Sequence, residues 1–267
     1  MGKTKPLPQQ PARPGHRDLP GRRSGSSRGR RYLKRAAITL AVLLVVLIVL
    51  AGALWVVTPS ASEATALAQA QAEQHGIPYP GPDAPENFVR PLVATEDHRF
   101  YSEPGVDVLA VGRVIGAQIT DGTDQGGATI EQQLAKLLYT PTETGFGAEV
   151  KQVVLAFKLN IKYSKQQILN LYAEAAYYGH GYYGLEAASC GYFGHPANDL
   201  TVTQGAMLAG VVNAPSVDDP IDDPVNARTR LEHVIGRMVA VGDLTSAQGQ
   251  QALNTSLGLT TGDSPNC

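Results

Sequence analysis

A run of 22 residues, Ala36 to Val57, contains no charged side chain, and its interior is almost entirely Leu, Val, Ile and Ala. As a helix it would extend roughly 30 Å, which is the thickness of the hydrocarbon layer of a bilayer. Trp55 lies near its far end, and the residues just before it include Arg30, Arg31, Lys34 and Arg35. By the positive-inside rule, this pattern predicts a single membrane-spanning helix over 36–57, with the N-terminus in the cytoplasm and residues 58–267 outside.

A cleaved signal peptide is the alternative interpretation of this segment. The long basic lead, the length of the apolar run and the lack of a small-x-small site soon after it favour a retained anchor. No Cys closely follows the run, which argues against a lipoprotein anchor.

Residues 1–35 contain eleven Lys or Arg and one acidic residue, Asp18, so they carry about +10, whereas the remaining chain carries about −12. This tail has few apolar residues and is predicted to be disordered. Because a membrane span follows it, we expect no nucleic acid as a partner. Anionic lipid headgroups and a cytoplasmic protein both remain open as partners of the tail.

The rest of the chain has a helical pattern almost throughout, with no strand-like alternation over more than a few residues. Ser164, Thr201 and Thr245 each have a Gln three residues later, as in a capping box. We expect a juxtamembrane helix and linker over 58–88, a domain over 89–257 and a C-terminal tail over 258–267. The predicted helices are 59–73, 89–99, 106–119, 128–138, 148–162, 165–178, 183–192, 202–213, 224–241 and 246–256. The predicted fold class is mainly α.

The chain has two cysteines, Cys190 and Cys267. Outside the membrane they can form a disulfide, but Cys190 fits equally well as a buried thiol in a helix. Two cysteines are too few for a metal site, so the sequence predicts no metal ligands.

Five segments contain the residues that suggest chemistry. The first has two adjacent carboxylates, Glu96 and Asp97, close to Phe100 and a Gly turn. Such a pair can do acid–base work, although adjacent carboxylates on a surface helix are usually only solvated.

The second segment, residues 125–136, places Thr129, Gln132, Gln133 and Lys136 on one helical face, behind a pair of glycines whose N–H groups could meet an anion. An ordinary amphipathic helix would look the same. In the third segment, 151–165, Lys151 and Gln152 follow Val150, and we expect a buried stripe of Val150, Val153, Val154 and Phe157.

The fourth segment is a run of Gly and Tyr over 177–194, and the fifth covers 206–216. The run of Gly and Tyr could be a packing device only. His180 lies within this run, and we interpret it as a loop residue because no second His is near it in sequence.

In their order and spacing, the five segments resemble the peptidoglycan glycosyltransferases, glycosyltransferase family 51, over residues 89–216. The strongest parts of the resemblance are residues 129–136 and 177–194. The resemblance implies a lysozyme-like helical fold that lies outside the membrane. It also implies an enzyme that joins lipid II to a growing glycan strand and releases polyprenyl pyrophosphate. The membrane, lipid II and the glycan strand are the implied partners, and other cell-wall synthesis proteins are further candidates. Whether a divalent cation assists as cofactor stays open.

Transferred residue by residue, the resemblance implies that Glu96 is the base and that Gln152 stands where the family has its second glutamate. The implied substrate-binding residues are Asp97, Phe100, Thr129, Gln132, Gln133, Lys136 and Lys151. Glu103 replaces an expected His, Glu131 replaces an expected Thr, and the expected Arg residues are missing from 137–150. These changes fall on charge-bearing positions, so we expect activity to be reduced or altered.

Three functions remain open at this point. The first is a monofunctional glycosyltransferase, since about 50 residues follow the fifth segment and no Ser-x-x-Lys nucleophile motif is present. The second is an inactive relative that binds lipid II or glycan and scaffolds cell-wall synthesis. The third is a glycan-cleaving enzyme, which would need a second carboxylate opposite Glu96.

Overall fold

The computed structural model describes residue 2, residues 26–107 and 127–260, and residue 267. Most of the described chain is helical, and within it the one β-type contact is an isolated antiparallel bridge between Tyr177 and Tyr183. The prediction of a mainly α fold is confirmed. The predicted helix over 106–119 lies almost wholly outside the described residues.

The first helix, α1, runs from Ser26 to Val57 and is long and apolar enough to cross a membrane by length and composition. It begins ten residues before the predicted span, so it includes residues 26–35, which the sequence assigns to the basic tail. Arg, Lys and Leu are good helix formers, and a helix already formed extends at little cost. The chain divides into two compact units, Met1–Gly52 and Ala53–Cys267.

The second unit contains nine further described α-helices. They are α2 (Ala64–His75), α3 (Glu86–Glu96), α4 (Ile130–Tyr139), α5 (Phe146–Lys162), α6 (Lys165–Ala175), α7 (Leu185–Phe193), α8 (Val202–Val211), α9 (Pro224–Val241) and α10 (Ser246–Asn254). Short 3-10 turns lie at Ala61–Glu63 and Ala197–Asp199.

Capping boxes start many of these elements. The three predicted boxes, at Ser164, Thr201 and Thr245, are present, and two more occur at Ser60 and Thr129. In each box the hydroxyl accepts a backbone N–H, and the side chain three residues later accepts the N–H of the cap residue, so two unpaired donors of the first turn are satisfied.

A lysine of α5 holds the C-terminal end of α1. The ammonium of Lys158 donates to the carbonyls of Trp55, Thr58 and Pro59 at 2.7, 2.8 and 3.0 Å. These carbonyls lie at or just beyond the end of α1, where backbone acceptors lack helical partners and a cation is favourable.

Helix α8 is the buried centre of the domain and packs on α3 and α9. Nearly all its side chains are apolar or small, and it is buried from Thr203 to Val211. Its Gly205 allows close contact with α3, because a Cβ there would lie 1.8 Å from the carbonyl oxygen of Asn87. Pro91, four residues after Asn87, has no N–H to donate to that carbonyl, which leaves the oxygen facing Gly205.

The stripe predicted on α5 is placed on the wrong side of that helix. Val150, Val153, Val154 and Phe157 are only half-buried, whereas Leu155, Ala156 and Leu159 are the buried residues. Both sets repeat at helical spacing, so apolar periodicity alone does not separate the two faces.

Cys190 of α7 and Cys267 form a disulfide, which answers the question that the sequence left open. The backbone N–H of Thr260 also donates to the carbonyl of Tyr192 at 2.8 Å. The C-terminal segment is therefore attached to α7 at two points.

Candidate active site

Glu96 is the last residue of α3, and its side chain is only 8% exposed. Its carboxylate and the side chains that contact it are together called the Glu96 pocket. Its Oε1 accepts a hydrogen bond from Nη2 of Arg230 at 2.8 Å, and its Oε2 accepts one from Nε2 of Gln133 at 3.0 Å. Both carboxylate oxygens are thus held, and the two donors come from α9 and α4, which the chain separates widely.

Gln133 is itself oriented by a buried tyrosine of α6. The hydroxyl of Tyr172 donates to Oε1 of Gln133 at 2.9 Å, which turns the amide nitrogen toward Glu96. Burial raises the pKa of Tyr172, and the nearby charge of Glu96 raises it further. The tyrosine hydroxyl therefore keeps its proton and donates a hydrogen bond. The two hydrogen bonds run in one direction, from Tyr172 to Gln133 and from Gln133 to Glu96.

Arg230 is the site residue that the sequence analysis missed. Its Nε donates to the carbonyl of Gly210 at 3.0 Å, and a Cβ at Gly210 would lie 2.9 Å from its Cγ. Asp218 approaches Nε at 3.9 Å. One signal was available, because Arg230 lies at helical spacing from the buried residues Ala227 and Val234, on a face that is otherwise apolar.

Asp97, next to Glu96, is buried and accepts the N–H of Ile130, at the start of α4, at 3.3 Å. Burial, and then the charge of Glu103, raises the pKa of Asp97 to about 7. This carboxylate ties the end of α3 to the start of α4. Of the glycine pair that was predicted to meet an anion, Gly126 lies outside the described residues.

Glu131 and Glu103, two of the departures from the family pattern, form a buried cluster with Lys165. Lys165 Nζ donates to Oε1 of Glu131 at 2.6 Å and to the carbonyl of Glu103 at 2.9 Å. Arg99 pairs with the Glu103 carboxylate at 2.6 Å. Burial raises the pKa of Glu131, although the hydrogen bond from Lys165 lowers it. Glu131 is thus paired with Lys165, and Glu103 shares Arg99 with Asp107.

Thr129 and Gln132 are engaged in the cap of α4. The Thr129 hydroxyl also donates to the carbonyl of Gly105 at 2.8 Å. Phe100 is fully buried, with the Lys165 ammonium 4.4 Å from its ring centroid. In this conformation Phe100 therefore supports the site through packing and has no surface to offer a substrate.

Three other predicted residues lie apart from Glu96 in the contacts of the described chain. Lys136 is exposed on α4. Lys151 pairs with Glu143 at 2.7 Å, and Gln152 donates to the hydroxyl of Thr140 at 2.9 Å. Of the predicted residues, only Gln133 contacts Glu96 directly through its side chain, while Asp97 adjoins it along the chain.

Candidate metal ligands occur in one group among the described residues, namely His180, Asp219 and Asp222. None of the three is a residue of the Glu96 pocket. From sequence, His180 is interpreted as a loop residue because no second His is near it. Its two carboxylate partners lie about 40 positions further along the chain.

Known proteins are similar to this chain over about two thirds of its length. The transglycosylase family profile matches residues 63–239. Penicillin-binding protein 1F of Bacillus subtilis is 37% identical over 178 residues, and penicillin-binding protein 1A of Neisseria flavescens is 39% identical over 176. Each alignment covers 66% of this chain but only 25% and 22% of the relative, so the chain spans about a quarter of their length. A crystal structure of penicillin-binding protein 1A from Haemophilus influenzae aligns with a TM-score of 0.35 at 27% identity, over 49% of this chain and 16% of that one.

Proposed function

This chain belongs to the transglycosylase family, and we propose that it polymerises lipid II into β-1,4-linked glycan strands with release of polyprenyl pyrophosphate. The observation that carries the proposal is the carboxylate of Glu96, which is largely buried and is paired with Arg230 and Gln133. Glu96 is also the residue onto which the resemblance to family 51 places the base.

In the proposed reaction, Glu96 accepts the proton of the acceptor sugar 4-hydroxyl. The oxygen forms a bond to the anomeric carbon of the growing strand, the bond from that carbon to the pyrophosphate breaks, and the configuration inverts. Arg230 and Gln133 orient the carboxylate, since each fixes one of its two oxygens. A base positioned in this way is effective because its geometry is set before the substrate arrives.

The pyrophosphate leaving group needs cations or N–H donors. Lys136 and Lys151 are the proposed donors. Lys136 is exposed, and Lys151 would have to exchange its partner Glu143, which is itself largely exposed. Gln152 cannot carry the charge of a glutamate, but it can hydrogen-bond, so we propose an enzyme with weakened activity.

We propose that α1 crosses the membrane with the N-terminus in the cytoplasm and that the domain lies outside, next to its lipid-linked substrate. The length and composition of α1 support the crossing, and the basic residues that precede it support the orientation. The disulfide between Cys190 and Cys267 agrees with an oxidising, extracytoplasmic location.

The test is lipid II polymerisation by the full-length protein in detergent, with Glu96→Gln as the inactive variant. Glu86→Gln, an exposed glutamate at the other end of α3, is the matched control. We expect glycan strands from the wild type and from the control but none from Glu96→Gln. Equal product from Glu96→Gln would refute the assignment of the base.

An inactive relative that binds lipid II or glycan is the second candidate function, and Gln152 is the observation that favours it. Gln152 donates to Thr140, as a neutral amide can and a carboxylate cannot. Binding of lipid II without any strand formation, by the wild type and by Gln152→Glu alike, would favour this function over a weakened enzyme.

A further inference from the structure

Three ligating side chains converge outside the Glu96 pocket. Nδ1 of His180 lies 3.7 Å from Oδ2 of Asp219 and 3.7 Å from Oδ2 of Asp222, and the three ligand atoms all lie within 4.8 Å of one another. Atoms that bind one metal ion at about 2.0–2.2 Å are roughly 3–3.5 Å apart. Small movements would therefore bring this group to a coordinating geometry.

The imidazole gives an observation independent of the two carboxylates. His180 Nδ1 is shielded from solvent and has no hydrogen-bond partner among the described residues. Its distances to the two carboxylates are too long for hydrogen bonds. Buried polar atoms are nearly always paired, so a shielded ring nitrogen that lies 3.7 Å from each of two carboxylate oxygens is suited to a ligand that all three atoms share.

Three hydrogen bonds fix the orientation of the Asp219 carboxylate. Its Oδ1 accepts the N–H groups of Ile221 and Asp222 at 2.9 and 3.2 Å, and its Oδ2 accepts the hydroxyl of Tyr192 at 3.0 Å. Supporting bonds of this kind orient the carboxylates that bind metals.

The turn that carries His180 is pressed against the same carboxylate. A Cβ at Gly179 would lie 2.5 Å from the carbonyl oxygen of Pro215 and 2.9 Å from Oδ2 of Asp219. His180 itself adopts φ +50°, a conformation that non-glycine residues rarely take. The packing therefore keeps the imidazole beside Asp219.

We propose that His180, Asp219 and Asp222 bind a divalent cation of the Zn²⁺ or Mn²⁺ class. One neutral imidazole and two carboxylates make a ligand set of charge −2, which a divalent ion neutralises. Imidazole nitrogen favours these metals over Mg²⁺ and Ca²⁺, which prefer oxygen ligands alone. Asp222 is 68% exposed, so the remaining coordination positions are open to water.

A bound cation would join the turn at 177–183 to the segment at 214–223. Asp218, next to Asp219, lies 3.9 Å from Nε of Arg230, which holds Glu96. The ion would thus stiffen the segment behind the Glu96 pocket without entering it. This inference does not depend on the proposed transferase activity.

The test is calorimetric titration of the metal-free, full-length protein in detergent with ZnCl₂, MnCl₂ and MgCl₂ in turn. His180→Asn suits the experiment because Asn tolerates positive φ, and Asp222→Asn alters an exposed residue. We expect one saturable Zn²⁺ or Mn²⁺ site in the wild type and affinity at least tenfold lower in either variant. The exposed residues His233 and Asp199 provide matched controls, His233→Asn and Asp199→Asn, that should bind as the wild type does.

Wild-type affinity in His180→Asn, or no saturable site in the wild type, would overturn the proposal. Equal affinity for Mg²⁺ would also overturn it, since that result indicates oxygen ligands without the imidazole. Circular dichroism of each variant checks that the fold is intact, and cobalt absorption provides a second readout, because losing a nitrogen ligand changes the spectrum whatever the stability.

Discussion

Replacing Asp97 by Asn should stabilise the domain at neutral and alkaline pH. Asp97 is 7% exposed and has a pKa raised from 3.8 to about 7 by burial and by the charge of Glu103. Glu131 raises this pKa further, whereas the N–H of Ile130 and the charge of Lys165 lower it. Asn keeps an oxygen that can accept the Ile130 N–H but carries no charge.

The sign follows from the direction of the shift. Between about pH 4 and pH 7 the folded chain keeps a proton on Asp97 that the unfolded chain has lost. The stabilisation from this proton is present below about pH 4 and is lost as the pH rises through 7. A change in pKa from 3.8 to about 7 corresponds to about 4 kcal/mol at 1.36 kcal/mol per pH unit.

Asp97→Asn should therefore unfold like the wild type near pH 4 and gain up to about 4 kcal/mol at pH 8. In thermal melts of the detergent-solubilised protein this corresponds to roughly 8–16 °C in Tm. The exposed Asp199→Asn is the control and should not change the pH profile. Parallel wild-type and Asp97→Asn profiles from pH 4 to pH 8 would show that Asp97 does not titrate in this way.

Three further predictions concern the pocket and its surroundings. Gln152→Glu should raise the rate of lipid II polymerisation if the site is only weakened, and an unchanged rate would count against that view. Arg230→Gln should lower kcat by about 10²-fold or more by releasing Glu96, with partial rescue by Arg230→Lys and a changed pH–rate profile; an unaltered profile would argue for a purely structural role. Lys165→Met should destabilise the domain by about 3–5 kcal/mol, because it leaves the fully buried Glu131 without its cation; in denaturation experiments the added substitution Glu131→Gln should recover much of this loss, and no recovery would refute the pairing.

Much of the fold was predictable because its signals are local. Helices α4 to α10 begin within about two residues of their predicted starts, and the three boxes expected from Ser or Thr followed by Gln are present. The box at Thr129 has the same pattern, but the prediction used Thr129 for substrate instead of for the cap. A hydroxyl that caps a helix and one that binds a ligand have the same sequence signature.

The site was predictable only in part, because its contacts are long-range. Glu96 and Gln133 were identified from motifs, whereas Arg230 is 134 positions from Glu96 and belongs to none of the five segments. The cluster of Glu103, Glu131 and Lys165 shows the same limit. From sequence, two added glutamates indicate lost function, but in the fold each of them contacts a cation. Arg99 is only four positions from Glu103, whereas Lys165 is 34 positions from Glu131, and no spacing rule gives that proximity.

Two glycines of helix α8 set the distance between Glu96 and Arg230. Gly205 lets the backbone of α3 rest on it near Asn87, and Gly210, five residues or roughly 7.5 Å further on, receives Arg230. Asn87 and Glu96 are roughly 13 Å apart along the axis of α3. One methyl group added at Gly205 would push α3 away at Asn87, tilt the helix and displace the Glu96 carboxylate. The displacement would be comparable to the misplacement of about 1 Å that lowers the rate of an enzyme about 10²-fold. The geometry of the proposed catalytic carboxylate can thus be lost through a residue that does not contact it.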